Sequence, residues 1–167
     1  MAEKVIGIDI DGYDILTNAI KDLLNMYPGL KSDQKITFGS LEDTSGITML
    51  PTSGSVIYDE KTDIVGKTKQ ECSYQFTVIY RGTGLSEKRK INIKEWLDNL
   101  GKWLEKQPIK IGDDSYKLND YPTLDEGREF ESIKRMTQSY PSAENASGTE
   151  DWEIMIQALY KNEYYKD

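Results

Sequence analysis

The residues of this sequence that could do chemistry are two pairs of aspartates. Asp9 and Asp11 follow an apolar stretch in the pattern Asp-x-Asp-Gly, and Asp113 and Asp114 follow a glycine. Carboxylates placed in this way can hold Mg²⁺ and can act as nucleophiles or acid–base groups. The 167-residue chain has one cysteine and no histidine. His-based triads, Cys/His zinc sites and an intramolecular disulfide are therefore excluded.

The Asp-x-Asp-Gly pattern resembles the start of the haloacid-dehalogenase-like hydrolases. The resemblance implies a magnesium-dependent phosphatase with Asp9 as nucleophile and Asp11 as acid/base, completed by the acidic turn 112–114. The context disagrees, because that family places its second acidic cluster between a buried parallel strand and a helix. Here 116–127 has no helical stripe, and the long strands alternate as antiparallel strands do. We therefore favour helix capping by Asp11 or Asp14 and a turn at Gly-Asp-Asp.

Composition indicates one globular domain over residues 1–167. Hydrophobic residues make up 37% and charged residues 30%, and the formal net charge is −8. Such an acidic chain lacks the clustered lysines and arginines that hold nucleic acid. It has no apolar run of about 20 residues that would span a membrane and no apolar core of a secretion signal. We expect no membrane association.

Apolar residues spaced three and four apart predict two helices. The first carries a stripe from Leu16 to Tyr27 and ends at Pro28-Gly29. The second is capped by Ser86 and ends before Pro108, and its apolar face consists of Ile93, Trp96, Leu97, Leu100, Trp103 and Leu104. Both stripes are those of helices that pack against a core.

Alternation of apolar and polar residues predicts strands. The segments are Lys35–Phe38, Gly54–Tyr58, Cys72–Tyr80, Phe130–Tyr140 and Trp152–Tyr160, and Ile109–Leu118 is predicted to form a tight hairpin. The alternation in Phe130–Tyr140 is imperfect, which indicates a bulge. The polar segments 40–53 and 141–151 are predicted to be loops.

This order of elements predicts an α+β fold, an antiparallel β-sheet with two main α-helices packed on one face. Residues 1–11 would be an extra strand or arm of the same domain. The outer face of the sheet would carry Ile79, Met155 and Leu159 among polar residues. A half-apolar outer face suggests that a partner covers it.

A second resemblance extends from Asp14 to Tyr160. It rests on the order of the strings LLNMYPGL, PTSGSVIY, SYQFTVIYRG, EWLDNLGKWLE, IKRMTQSYP and SGTEDWEIMIQALY. In this order they resemble the small tail-terminator, minor capsid or tail-completion proteins of tailed bacteriophages and phage-tail-like particles. The resemblance lies in a pattern of elements and short strings and includes no catalytic motif.

The resemblance implies a structural protein without enzymatic activity, cofactor or metal. Its subunits would close into a ring, usually of six, that caps the tail tube, stops tail growth and contacts the neck or head connector. The implied partners are further copies of the chain, the tail tube protein, and the tail sheath and neck proteins, with DNA only as passing cargo. The implied location is the virion or tail-like particle, after synthesis in the bacterial host cytoplasm. Another neck or head–tail connector component is the second hypothesis, and the phosphatase is the third.

Two predicted loops are candidate interaction segments. Loop 41–51 is unusually apolar and would dock on the tube through Ile47, Met49 and Leu50. Loop 142–148 is polar, joins two strong strands and would reach a neighbouring subunit. Its candidate residues are Ser142, Glu144, Asn145, Ser147 and Gly148.

Overall fold

A computed structural model describes residues 5–145 and 148–166 and shows an α+β fold with a mostly antiparallel sheet and two helices. The helices are α1 (Ile10–Leu24) and α2 (Glu87–Leu104). The strands within the described ranges are β1 (Gly7–Ile8), β2 (Ile36–Phe38), β3 (Gly46–Thr62), β4 (Lys67–Thr83), β5 (Ile109–Ile111), β6 (Asp114–Tyr116), β7 (Arg128–Arg135), β8 (Tyr140–Glu144) and β9 (Thr149–Tyr165).

Three strands of 17 residues each, β3, β4 and β9, form the centre of the main sheet. The order is β1-β3-β4-β9-β7, with β2 also paired to β3 and β8 also paired to β9. All these pairs are antiparallel except β2–β3. The strands β5 and β6 form a separate hairpin, as predicted for Ile109–Leu118.

The strand β3 corrects the prediction of a loop at 40–53. Residues from Gly46 onward pair with β4, and a register shift between Pro51 and Gly54 lets the strand continue past the proline. Gly54 has a φ of +69°, which a glycine adopts without strain. The serines, threonines and glycines of this segment suggested a loop, but partners on both sides keep it in the sheet.

The predicted bulge in Phe130–Tyr140 is confirmed. The strand β7 pairs with β9 through Phe130 and again through Ser132, so that Glu131 is the extra residue. The strand then ends at Arg135, and the next strand, β8, starts at Tyr140. The predicted loop 141–151 is therefore wrong in extent, since β8 and the start of β9 occupy most of it.

Both predicted helices form, although α1 ends at Leu24, before Tyr27 and the predicted end at Pro28-Gly29. Ser86 caps α2 by accepting a hydrogen bond from the Arg89 backbone amide (3.3 Å). The Tyr27 ring meets Trp96 edge-on at 5.1 Å between ring centroids, and Trp96 meets Tyr80 of β4 at the same distance. These edge-on aromatic contacts connect the segment after α1 to α2, and connect α2 to the sheet. Neither helix in the described ranges is long and apolar enough to cross a membrane.

The buried core contains residues of both helices and the alternating residues of β4 and β9. Its largest fully buried side chains are Tyr74, Tyr160, Phe76, Leu16, Ile20, Leu23, Leu24, Ile36, Met49, Leu97, Leu100 and Leu104. Cys72, Tyr74, Phe76 and Val78 follow one another at every second position of β4, the spacing that places side chains on one face of a strand.

Candidate functional site

Asp9, the first residue of the Asp-x-Asp-Gly pattern, is the N-cap of α1. Its Oδ1 accepts a hydrogen bond from the Gly12 backbone amide at 3.1 Å. The prediction that Asp11 or Asp14 caps the helix is therefore wrong, because the helix begins at Ile10, before either of them. The strand that precedes Asp9, β1, has two residues and pairs antiparallel with β3. The phosphatase resemblance would require a buried parallel strand at this position.

The Asp9 carboxylate is buried in a salt bridge with Arg128. The Arg128 Nη2–Asp9 Oδ1 distance is 2.6 Å and the Nε–Oδ2 distance is 2.9 Å, and the Tyr160 hydroxyl donates to Oδ2 at 2.7 Å. Asp9 is 6% exposed and Arg128 8%. Burial alone would raise the pKa of Asp9, but the hydrogen bonds from Arg128 and Tyr160 and the Arg128 charge hold that pKa below its usual value. Both carboxylate oxygens are thus occupied within the fold.

Gly12, the last residue of the pattern, leaves room for this salt bridge. A Cβ atom on Gly12 would lie 1.9 Å from Asp9 Oδ2 and 2.7 Å from the Tyr160 hydroxyl. Any side chain here would displace the Asp9 carboxylate. The Asp-x-Asp-Gly pattern is therefore explained by capping and by a buried ion pair.

The fold does not place the second acidic pair beside Asp9. Asp113 and Asp114 are exposed in the tight turn of the β5–β6 hairpin, and neither lines the pocket beside Asp9. No group of three or more cysteine, aspartate or glutamate residues in the described part of the chain is arranged to hold a metal ion. The single thiol, Cys72, is fully buried, and burial raises its pKa to about 12. A thiol in this state is a poor nucleophile.

The pocket beside Asp9 has a volume of about 430 Å³. Its rim includes Ile8, Ile10, Asp11 and Glu126, which are exposed, and its polar lining includes Asn162. The floor is a chain of hydrogen bonds: Asn162 Nδ2 donates to Gln70 Oε1 (3.0 Å), and Gln70 Nε2 donates to Glu60 Oε1 (2.8 Å). The polar floor is internally bonded, and the exposed isoleucines make the rim apolar.

The second half of the first predicted interaction segment, 41–51, is strand, and its residues 47–49 are buried. Ile47 and Met49 lie in β3 with 4% and 0% exposure and belong to the core, whereas Leu50 is 38% exposed. The expectation that Ile47 and Met49 extend from a loop is wrong, because β3 pairs with β2 on one side and β4 on the other. Residues 39–45 form a connecting loop, and most of them are exposed.

The second segment, 142–148, is the end of a hairpin. Ser142 and Glu144 lie in β8, and Ser142 Oγ donates to the Asp151 carbonyl at 3.3 Å. Asn145 Nδ2 donates to Thr149 Oγ1 (2.7 Å), and the Gly148 amide donates to the Asn145 carbonyl (2.9 Å). Ser142, Glu144, Asn145 and Gly148 are exposed, whereas Thr149 and Asp151 are buried. Ser147 lies outside the described residues.

The fold brings these two segments to one end of the sheet, which we call the loop end (39–45, 81–84, 145 and 148). Arg81 forms two hydrogen bonds with the Asp151 carboxylate (2.7 and 2.9 Å) and a third with the Glu42 carbonyl (3.2 Å). The Gly84 amide donates to the Gly148 carbonyl at 3.2 Å. A cleft of about 920 Å³ opens here, lined by Lys35, Ser45, Ile47, Tyr80, Arg81 and Arg89 among others.

We call the opposite end of the same strands the arm (59–71 and 161–166); β7 pairs with β9 up to residue 162, and of the described strands only the three long ones continue beyond it. Its sides are polar and ion-paired, as in the Lys67 Nζ–Glu163 Oε2 pair at 3.6 Å. Its tip is the β3–β4 turn, where Ile64 is fully exposed and Val65 is 72% exposed. The long strands thus end in two different surfaces, one polar and cleft-bearing, the other with an apolar tip.

No protein-family model matches this chain, and no curated protein matches it either. The arguments about function therefore rest on the residues and their arrangement.

Sequence reasoning missed two features of the site. The partners of Asp9, Arg128 and Tyr160, are 119 and 151 residues away along the chain, and no local pattern links them. The second feature is the exposed apolar tip of the arm. A signal for it was present, since turns favour Gly, Pro, Asn, Asp and Ser, and Ile64-Val65 has none of these.

Proposed function

We propose that this protein is a structural subunit that forms a ring, caps the end of a phage-type tail tube, stops its growth and presents a second surface to the neck or head connector. The observation that carries the proposal is that the loop end and the arm are different surfaces at opposite ends of the same three long strands. A subunit with two unlike ends can bind the tube through one end, while its other end lacks the surface to which a further tube subunit would bind. The protein acts by binding, without catalysis, cofactor or metal.

We also infer that both helices pack on the same face of the sheet. Thr17 of α1 shares a hydrogen bond with the Tyr74 hydroxyl (2.7 Å), and Trp96 of α2 contacts Tyr80. Tyr74 and Tyr80 are an even number of positions apart in β4, and side chains at such positions share a face. The other face, with the half-buried Ile79, Met155 and Leu159, is then free for neighbouring subunits or particle proteins.

Contacts between unlike surfaces of identical subunits generate closed rings when the rotation closes. The net charge of −8 per chain makes such a ring strongly acidic. Acidic groups around a central channel would repel DNA phosphates and let DNA pass without adhering. The ring would reside at the neck or tail end of the particle and bind the tube, sheath or neck proteins there.

The mass of the purified protein over a concentration series tests ring formation. We expect a species of about six subunits, seen as a closed ring in negative-stain images. A dimer or an open filament as the heaviest species would contradict the ring. A monomer up to the highest concentration would contradict self-assembly of the isolated chain.

Loss of the protein in the bacterium that produces the particle tests capping itself. We expect tails of irregular or excessive length in electron micrographs, because nothing stops addition to the tube. Complementation with the intact chain should restore a single length. Tails of normal length that fail to join heads would contradict capping and favour the neck-connector alternative.

A further inference from the structure

The arm tip is an apolar surface held in a fixed shape. The Asp63 carboxylate accepts hydrogen bonds from the backbone amides of Val65 (3.0 Å) and Lys67 (2.9 Å), and the Gly66 amide donates to the Asp63 carbonyl (3.1 Å). The Lys166 amide also binds the Gly66 carbonyl (2.8 Å), which ties the tip to the end of β9. Ile64 and Val65 point away from this turn into solvent. A preordered tip loses little conformational entropy when it binds.

The sides of the arm are charged, in contrast to its apolar tip. On the two outer strands of the arm, β3 carries Glu60 and Lys61 and β9 carries Glu163, and Lys166 pairs with Glu60 (3.4 Å). Charged side chains of this kind keep strand edges from pairing with other chains. The arm is thus protected along its sides, while its end exposes two β-branched apolar residues.

The root of the arm carries a second exposed apolar surface, the edge patch, which consists of Val5, Ile6, Ile8 and Ile10. These residues are 54%, 53%, 59% and 76% exposed. Ile8 and Ile10 lie on the rim of the 430 Å³ pocket beside Asp9. A volume of this size accepts a small organic molecule, so it can accept the end of a hairpin.

The tip cannot reach the edge patch of its own chain. The strand β1 pairs with β3 at Val56 and Ile57, and β3 then runs on as paired strand to Thr62. Five extended residues span roughly 17 Å. Contact between these two surfaces therefore requires a second copy of the chain.

The charges around the two surfaces are complementary. Beside the tip, the three lysines 61, 67 and 69 outnumber Asp63 and Glu163. In the pocket at the edge patch, Asp9, Asp11 and Glu126 outnumber Arg128. Opposite charges at the rims of two apolar surfaces guide docking and fix its register. A second tip would not offer this match, because it presents the same lysines.

We propose that the arm tip of one subunit docks into the edge patch of a second copy of this chain, with Ile64 and Val65 against Ile8 and Ile10. This contact joins unlike surfaces, so that each subunit both donates a tip and accepts one. The proposal rests on the proposed function, since it supplies a subunit contact of the ring.

The first test is the concentration at which half of the chains are assembled, measured by sedimentation velocity. The Ile64→Ser/Val65→Ser and Ile8→Ser/Ile10→Ser variants should each raise it at least about tenfold, since each removes two apolar contacts. The matched control, Met26→Ser/Ile91→Ser, removes exposed apolar residues elsewhere (68% and 49% exposed) and should leave it unchanged. Unchanged assembly of both tip and patch variants would overturn the proposal.

The second test uses crosslinking and separates this contact from the ring. Chains with Ile64→Cys are mixed with chains with Ile10→Cys and treated with a short bis-maleimide; the native Cys72 is fully buried. We expect crosslinked pairs in the mixture well above those in either sample alone. Rings of the mixed variants without such pairs, or pairs formed mainly between two Ile64→Cys chains, would overturn the contact but would not contradict the ring. Crosslinked pairs in an assembly that is not closed would support the contact and contradict the ring.

Discussion

At the scale of single residues, the buried Asp9–Arg128 pair connects the N-terminus of α1 to β7. The carboxylate also caps the helix and accepts from Tyr160 of β9, so three elements meet at one side chain. A buried ion pair of this kind is costly to break from one side, because the buried Arg128 charge would keep only the exposed Glu126 carboxylate, at 3.7 Å. The fold therefore depends on Asp9 far more than on the neighbouring Asp11, which is exposed.

Asp9→Asn should lower the free energy of unfolding by about 3–5 kcal/mol, because it leaves the Arg128 charge buried without its partner. Denaturant unfolding at neutral pH measures this. Asp11→Asn is the matched control and should change stability by less than about 0.5 kcal/mol. Equal effects of the two variants would contradict the assigned role of the pair.

The same pair predicts how stability changes in acid. The pKa of Asp9 is lowered in the folded state, so its stabilisation is complete above the unfolded value of about 3.9 and is lost as pH falls through the folded value. Thermal unfolding of the wild type should therefore become strongly acid-sensitive below about pH 4. Asp9→Asn should lack this component, and an identical acid profile in the two proteins would rule the linkage out.

Glu131, the extra residue of the β7 bulge, predicts a different pH dependence. Its hydrogen bond with Glu71, together with partial desolvation and the Glu71 charge, raises the pKa of Glu131 to about 7, although the residue is partly exposed. An unfolded glutamate titrates near pH 4.3. Between these values the folded chain holds a proton that the unfolded chain has lost, so stability falls as pH rises from about 4.5 to 7.

Glu131→Gln should flatten the stability profile across that window, because it removes the group that is protonated only in the folded state. The melting temperature measured from pH 4.5 to 8 tests this. Glu129→Gln is the control, because the Glu129 carboxylate pairs with the Lys161 ammonium (3.4 Å), whereas Glu131 pairs with a second carboxylate. An equal slope of melting temperature against pH in the wild type and the Glu131→Gln variant would contradict the effect of the carboxyl pair.

At the scale of elements, the strand β3 is where local composition and tertiary pairing disagree most. The segment 46–53 contains glycine, proline, serine and threonine, residues common in loops. Pairing with β2 and β4 nevertheless makes it a strand and buries Met49 completely.

Met49→Ala should cost about 2–5 kcal/mol of stability, the range for a large buried side chain replaced by alanine. Leu50→Ala, at the next position and 38% exposed, should cost clearly less. Chemical denaturation of both variants gives the comparison. Similar small losses would show that the segment behaves as the loop that composition suggests.

At the scale of the whole molecule, the acidic charge of the chain agrees with the proposed ring, through which DNA would pass without binding. The net charge is −8, and affinity for nucleic acid depends chiefly on lysines and arginines that displace counterions. Much of the basic charge in the structure is paired, as Arg81 with Asp151, Arg128 with Asp9 and Arg135 with Glu105 show.

The assembled protein should therefore leave labelled duplex DNA unbound at about 0.15 M salt. Fluorescence anisotropy of a 30-base-pair duplex, titrated with protein into the range of non-specific binding, roughly 10⁻⁴–10⁻⁶ M, measures this. Lowering the salt should add little, because an acidic surface repels phosphates more strongly when screening weakens. Binding that strengthens steeply as salt is lowered would contradict DNA as passing cargo.

The sequence by itself determined both helices, the β5–β6 hairpin, the alternating strands and the bulge near Phe130, because each of these depends on spacings within a dozen residues. Only the tertiary structure decided that Asp9 joins Arg128 and Tyr160, that Ile47 and Met49 are buried, and that segments near 42 and 148 meet around Arg81. These outcomes depend on strand pairing between distant segments. Local propensity cannot predict this pairing. The pairing partner decides whether a polar stretch becomes strand or loop, and it decides whether an aspartate contacts water or an arginine.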